Sequence, residues 1–173
     1  MNLIVTCARN LEGEAEEEIM DILDELGDPD VKISVSNMSG IITVQTKLDP
    51  IEVVGKMKEI LLDEPWSIRY CLRVIPIQKI VETNLEKIEE CISSISDKIE
   101  DNESYRILIE KRNSDISSKE IITNIANQIK NKVSLDFPDK IILIEILGIV
   151  TGISLIKKSD ILSLEKTKRS MSE

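Results

Sequence analysis

Hydrophobic and polar positions change their spacing along this chain, and each change of period marks an element. Leu3 to Cys7 is a short apolar run that predicts a strand. Asn10 is placed to cap a helix after it, because apolar residues then recur every three or four positions. Gly27 and Pro29 predict the end of this helix.

Residues 31–77 continue with two strands, a helix and a strand. Residues 31–35 and 42–44 alternate between apolar and polar, as the two half-buried strands of a hairpin do. Asp49 and Pro50 form the N-cap and first turn of the second helix, and Ser67 to Ile77 predicts the fourth strand. Residues 1–77 therefore predict β-α-β-β-α-β, a ferredoxin-like domain with two helices on one face of an antiparallel sheet.

Residues 78–162 predict a second α+β domain. Thr83 and Glu86 predict a capping box at the start of a helix, and Tyr105 to Ile109 predicts a strand. Glu110 to Ser117 follows as a polar loop.

The rest of this domain is a capped helix and two strands. Ser117 and Glu120 cap the helix, residues 141–147 predict a central strand, and a last strand ends at Ile156. The polar tail, residues 163–173, is expected to be disordered.

Composition excludes several classes of protein. No apolar run approaches the roughly 20 residues of a membrane helix, and the N-terminus lacks the features of a signal peptide, so a cytoplasmic protein is expected. Cys7, Cys71 and Cys91 are widely spaced and predict buried free thiols rather than disulfides or a zinc site. The chain has no histidine, the commonest general base and zinc ligand, and no metal or cofactor is expected.

Catalytic motifs are also missing. The sequence contains no GxGxxG, no GxxxxGK[ST] and no Ser/His/Asp or Cys/His arrangement. Carboxylate pairs occur mainly on predicted exposed helix faces, where no cleft would perturb their pKa values. The sequence therefore predicts a protein that is not an enzyme.

The net charge of the chain argues against a polyanion partner, but the charged residues are unevenly distributed along the sequence. The net charge is −10, whereas RNA binding usually requires a basic surface. Residues 1–100 hold 10 Lys+Arg against 21 Asp+Glu, but residues 101–173 hold 12 against 11. The second half can therefore present a local basic surface, and any RNA binding should be modest and sensitive to salt.

The strongest candidate site is a basic group at the end of the strand that starts at Tyr105. Arg106 lies on that strand, and Lys111, Arg112 and Asn113 are placed where it opens into the predicted loop. Adjacent side chains at a strand exit can converge on a phosphate with guanidinium, ammonium and amide donors. The alternative is an ordinary solvated loop with internal salt bridges.

Two further features bear on this site. Glu145 interrupts an apolar strand and, if buried, needs a lysine or arginine partner. Trp66, Tyr70, Tyr105 and Phe137 are too few and too scattered for a base-stacking platform, so contacts to the phosphates and one end of a folded RNA are favoured.

The order of elements and residues from Tyr105 to Ile156 resembles the THUMP domain, an RNA-binding module of tRNA-modifying systems. Val5-Thr6-Cys7 followed by Glu14, and the segment from Ser67 to Pro76, resemble the archaeal and eukaryotic THUMP proteins that assist tRNA cytidine acetylation. In that family a ferredoxin-like N-terminal domain packs against the THUMP domain, and the pair holds the acceptor end of tRNA. A separate acetyltransferase then makes 4-acetylcytidine.

This resemblance implies a non-catalytic tRNA-binding adaptor. Its implied RNA contacts include residues of both predicted domains, with Arg69 and Arg73 lining an interdomain groove and Gly152 allowing close backbone approach. The full predicted set is Arg106, Lys111, Arg112, Asn113, Lys132, Lys157, Gly152, Arg69 and Arg73. Two alternatives stay open: an RNA-binding subunit of another tRNA-modifying enzyme (a methyltransferase or thiouridylase), or a ferredoxin-like module that binds a small regulatory ligand.

Overall fold

The structure is a computed structural model that describes residues 1–172. The chain divides into two compact units: Met1–Ile77 with the residues from Ser159 onward form unit 1, and Gln78–Lys158 forms unit 2. The predicted α+β fold is confirmed, with one sheet and its own helices in each unit.

Unit 1 is built on one antiparallel sheet. Its elements are β1 Leu3–Thr6, α1 Glu12–Glu25, β2 Lys32–Val35, β3 Ile41–Gln45, α2 Pro50–Asp63, β4 Arg73–Pro76, β9 Leu162–Ser163 and α5 Leu164–Met171. The five strands lie in the order β2-β3-β1-β4-β9. Helices α1 and α2 pack against the sheet, and their apolar stripes share one core with β1, β3 and β4. The first 77 residues thus adopt the predicted β-α-β-β-α-β order.

Unit 2 has a four-stranded sheet and two helices. Its elements are β5 Lys79–Glu82, α3 Leu85–Ser96, β6 Tyr105–Arg112, α4 Ser118–Gln128, β7 Lys140–Leu147 and β8 Val150–Ile156. The strands lie in the order β5-β8-β7-β6, with α3 and α4 packed on one face of the sheet. The edge strand β6 runs parallel to β7, and β7 and β8 form an antiparallel hairpin. A short 3₁₀ turn, Lys158–Asp160, follows.

Helix capping agrees with the sequence at two sites and differs at two. Asp49 accepts from the backbone amides at the start of α2, and the Ser117 side chain accepts from the amide of Glu120, as predicted. Asn10 does not cap α1: it adopts φ of 70°, and Leu11 takes the cap position without a side-chain bond. At α3 the cap is Asn84 rather than Thr83, because the Thr83 hydroxyl bonds Thr151 instead.

The end of the chain was wrongly predicted to be disordered. Leu162 and Ser163 pair with Val74 and Arg73 of β4, and α5 follows directly. Leu162 is fully buried in the core of unit 1, and this burial explains the order that a polar composition does not suggest. Residue 173, the last of the predicted tail, lies outside the described residues.

Candidate nucleic-acid interface

The strand β6 is longer than its sequence suggests, and this changes the predicted basic group. Lys111 and Arg112 were expected in a loop, but both pair with β7, at Ile146 and Leu147 respectively. Side chains alternate between the two faces of a strand. Lys111 therefore shares the helix-packed face with Ile109, whereas Arg106 and Arg112 lie on the opposite face.

The predicted residues of β6 also lie at opposite ends of the strand. Arg106 is its second residue and Arg112 its last, so at the usual rise their Cα atoms are roughly 20 Å apart. One phosphate cannot contact both. The structure therefore separates the predicted set in unit 2 into a group around Arg106 and a group around Arg112.

At the end of β6 the basic side chains make internal contacts. The Arg112 guanidinium lies 3.2 Å from the Glu145 carboxylate, which is the partner that the apolar setting of Glu145 predicted. The Lys111 ammonium donates to the carbonyl of Ile116 at 2.9 Å and so holds the following loop. Asn113 is exposed and adopts a left-handed conformation, with φ of 54°. These contacts give Lys111 and Arg112 a structural role.

Three of the predicted residues lie at the same end of the sheet of unit 2, where β6 starts. Arg106 pairs with Ile141, and Ile141 pairs with Ile156, so Arg106 and the residue before Lys157 occupy one row across the sheet. Lys132 lies on the outer side of β6, where its carbonyl accepts from the amide of Tyr105 at 3.0 Å. Lys132 and Lys157 are both exposed. We call Arg106, Lys132 and Lys157 the basic end of unit 2.

The remaining predicted residues lie elsewhere. Gly152 is buried in β8, opposite Glu145 on one side and Ile80 on the other. Arg69 and Arg73 belong to unit 1, where Arg69 is exposed and Arg73 is a half-buried residue of β4. An RNA contact at each of these positions stays a prediction.

Unit 1 presents an acidic surface along α1. An open groove beside this helix is lined by carboxylates, chiefly Glu14, Glu17, Glu18, Asp21 and Glu25. Repulsion of phosphates by these groups opposes RNA contact at this surface.

The thiols do not point to a reactive site. Cys7 and Cys71 are buried and Cys91 is half-buried, and all three are free. Burial, with a smaller contribution from Glu18, raises the pKa of the Cys71 thiol far above its ordinary value, which disfavours the nucleophilic thiolate.

Among residues 1–172 no group of three or more His, Cys, Asp or Glu is arranged to hold a metal ion. No helix in the same range has the length and apolar character needed to cross a bilayer.

Comparison with known families decides the nature of unit 2. Residues 82–156 match the family model of the THUMP domain. The chain contains a THUMP domain. It runs from the last residue of β5 to the end of β8, so the basic end lies within the THUMP domain or, for Lys157, directly after it.

Solved structures share the fold of almost the whole chain. PH1313 from Pyrococcus horikoshii Ot3 is 19% identical, with a TM-score of 0.60 over 91% of this chain and 55% of that protein. TrmN from Thermus thermophilus is 14% identical, with a TM-score of 0.60 over 88% of this chain and 44% of that protein. The chain thus spans about half the length of these structures, and the likeness extends through both units. No curated protein matches the chain.

Proposed function

We propose that this chain is a tRNA-binding adaptor whose THUMP domain holds the acceptor end of tRNA. The observation that carries the proposal is the THUMP match over residues 82–156, in a unit whose sheet has three cationic side chains at one end. Lys132 and Lys157 are exposed there, and phosphate is the natural ligand of such a group.

The physical task of an adaptor is positioning. A folded tRNA held at its acceptor end presents a distant nucleotide at a fixed place, and this raises the effective concentration of that nucleotide at another protein's active site. The resemblance to THUMP proteins of tRNA cytidine acetylation makes a separate acetyltransferase, which forms 4-acetylcytidine, the partner we propose. In this proposal the chain itself is non-catalytic.

The acidic surface of α1 fits this division of tasks. Its carboxylates repel phosphates, so RNA contact falls to the THUMP domain. The α1 surface is then available to a protein partner.

A filter-binding titration with tRNA tests the RNA-binding half of the proposal. The variant Lys132→Ala plus Lys157→Ala should weaken binding by roughly tenfold, as the loss of two exposed ionic contacts predicts. The matched control is Lys87→Ala plus Lys98→Ala, which removes the same charge from exposed positions on and just after α3 of the same unit. Equal losses of tRNA affinity in the two variants would show that net charge alone causes the effect, and would exclude the basic end as the RNA contact.

Reconstitution tests the adaptor half. A tRNA cytidine acetyltransferase should modify tRNA faster when this chain is added, and the chain alone should leave tRNA unmodified. Acetylation by the chain alone would overturn a non-catalytic role.

Co-purification of a methyltransferase or thiouridylase in place of an acetyltransferase would assign the module to another tRNA-modifying enzyme. A thermal shift with small metabolites, and none with tRNA, would favour a ligand-binding regulatory module.

A further inference from the structure

The end of α2 and the loop after it present two large apolar side chains to solvent. Leu62 is 58% exposed, and Trp66, the single tryptophan of the chain, is 67% exposed. The loop is fixed on both sides of Trp66. The amide and hydroxyl of Ser67 donate to the carbonyl of Glu64, and the Glu18 carboxylate accepts from three successive amides farther along the loop. A partner therefore meets a preformed apolar surface and loses little affinity to ordering it.

The groove beside α1 adjoins this apolar surface. Trp66 lies in the chain between Glu64 and Ser67, and both of these residues line the groove, which has a volume of about 460 Å³. Apolar side chains lie among the carboxylates of the lining, and they are Ile22, Ile60 and Ile68. Lys and Arg side chains match such a lining, because their aliphatic stems pack on apolar groups while their charged ends meet carboxylates.

The charges around Trp66 select the class of partner. Six of the residues that line the groove carry carboxylates and none is a lysine or arginine, and no ion pair among residues 1–172 involves these six. The cations nearby are fewer. Arg69 is exposed at the loop, the Lys168 ammonium donates to the carbonyl of Ile68 at 3.3 Å, and Lys56 of α2 is paired with Glu59. The surface beside Trp66 therefore keeps an excess of negative charge.

This excess favours a basic protein over the other possible partners. Phosphates of RNA would be repelled, and a second copy related by a two-fold axis would bring carboxylates against carboxylates. Glu14 and Glu18, and Glu17 and Asp21, are like-charge pairs four positions apart on α1, which destabilise a helix in the free chain. Cations of a bound protein relieve this repulsion, and an apolar patch beside them is covered at the same time.

We propose that Trp66 and Leu62 anchor the partner enzyme of the adaptor, and that Lys and Arg side chains of a basic segment of that enzyme enter the groove beside α1. The inference rests on the proposed adaptor function and deepens it, since it assigns the enzyme to unit 1 while tRNA is held by the THUMP domain. Tryptophan is a residue on which binding energy concentrates at protein interfaces, and the carboxylates around it give the contact its specificity and its rate of association.

The test uses the full chain with 5-fluorotryptophan at its single tryptophan, and a purified tRNA cytidine acetyltransferase in the absence of RNA. The labelled chain gives one fluorine resonance, from Trp66, and its chemical shift should change when the enzyme is added, because the ring passes from water into an interface. Trp66→Ala should weaken binding of the enzyme by about 30-fold, as truncation of such an anchor does. Met20→Ala is the matched control and should leave binding unchanged, because Met20 is exposed on α1 but does not line the groove.

A second variant tests the groove independently of Trp66. Glu17→Lys plus Asp21→Lys should weaken binding of the enzyme by at least about tenfold, because it sets like charges against the basic segment. Glu18 is left intact, since it holds backbone amides of the loop. The matched control is Glu86→Lys plus Glu90→Lys, the same change of charge at the same spacing on the exposed face of α3 in unit 2.

The outcomes separate this surface from the proposed function. Binding of the enzyme that is equal in wild type and Trp66→Ala would overturn the surface and leave the adaptor proposal standing, as would equal losses in the two charge-reversal variants. Absence of any binding of the enzyme to wild type would overturn both. A change in the fluorine resonance on addition of tRNA alone would assign the surface to RNA, and a change with protein concentration alone would assign it to a second copy. Either result would also overturn the inference.

Discussion

The Arg112 guanidinium lies 3.2 Å from the carboxylate of Glu145, and this ion pair ties the end of β6 to the neighbouring strand β7. The Glu145 side chain is fully buried, whereas that of Arg112 is 29% exposed. A buried carboxylate is costly without a charged partner, so the pair is needed for the stability of unit 2. Arg112 therefore has a structural role whether or not it contacts RNA.

Removal of this arginine should destabilise the protein. Arg112→Ala removes the guanidinium beside the buried Glu145 carboxylate and is expected to lower the free energy of unfolding by about 1–3 kcal/mol. Lys119→Ala is the control in the same unit and should change it by less than about 0.5 kcal/mol, because the Lys119 side chain is exposed. Urea denaturation measures both. Equal stability of the Arg112 variant and wild type would show that the ion pair contributes nothing to the fold.

A second carboxylate organises the backbone of unit 1. Glu18 of α1 accepts hydrogen bonds of 2.9 Å from the amides of Arg69, Tyr70 and Cys71. Glu18→Ala leaves three amides to other partners and should cost about 1–3 kcal/mol. Glu17→Ala removes an equal charge from an exposed neighbouring position and should be nearly neutral. The free energies of unfolding of the two variants, measured by chemical denaturation, should therefore differ. Equal losses of stability would mean that the negative charge, and not the hydrogen bonds of Glu18, stabilises unit 1.

Two glycines of unit 1 should respond in opposite directions to alanine. A Cβ at Gly40 would lie 2.7 Å from the carbonyl oxygen of Cys7, and its φ is +75°, so Gly40→Ala should destabilise by at least about 1 kcal/mol. Gly55 is exposed within α2 with nothing within 4 Å of a Cβ, so Gly55→Ala should stabilise by about 0.5–1 kcal/mol. Shifts of the same sign in the melting temperature would contradict this assignment.

The hydrogen bonds between Ser104 and the Asp139 carboxylate predict that stability depends on pH. Hydrogen bonds from the amide and hydroxyl of Ser104 hold the pKa of the Asp139 carboxyl below its ordinary value, with help from Lys140. Because the folded-state pKa is lowered, the resulting stabilisation is complete above the ordinary pKa of about 3.9 and is lost as pH falls through the lowered value. The difference in melting temperature between wild type and Asp139→Asn should therefore be constant above about pH 5 and shrink at lower pH. A constant difference down to pH 3 would contradict the tether.

The sequence predicts most of unit 1 and the central strands of unit 2 because these elements have clear periods and local caps. Asp49 and Ser117 begin their helices as expected, since each cap depends only on the next few residues. The short edge strand β5 was missed, because only four residues pair there and most are exposed. Its pairing with β8 joins residues about seventy positions apart, and local pattern does not contain that information.

The candidate site also depends on pairing between distant residues, which the local sequence pattern does not show. A basic run after Ile109 suggests a loop, yet pairing with β7 extends the strand through Arg112 and places Lys111 and Arg112 on opposite faces. Residues 132–137 alternate between polar and apolar, as a half-buried strand does, yet the apolar residues Val133, Leu135 and Phe137 are all exposed. Hydrogen bonds to Tyr105 and Arg106 order this segment. The exposure of Phe137 follows from these tertiary contacts, and the sequence gives no local indication of it.

The most direct test of the central claim is the salt dependence of tRNA binding by the wild-type chain. Three cationic side chains at the basic end predict that log K falls linearly with log salt, with a slope of about −2 to −3. Such a slope, reduced in Lys132→Ala plus Lys157→Ala but not in Lys87→Ala plus Lys98→Ala, is the expected result. Binding that does not change with salt, or no binding at 50 mM salt or below, would contradict the claim that this THUMP domain holds tRNA by its phosphates.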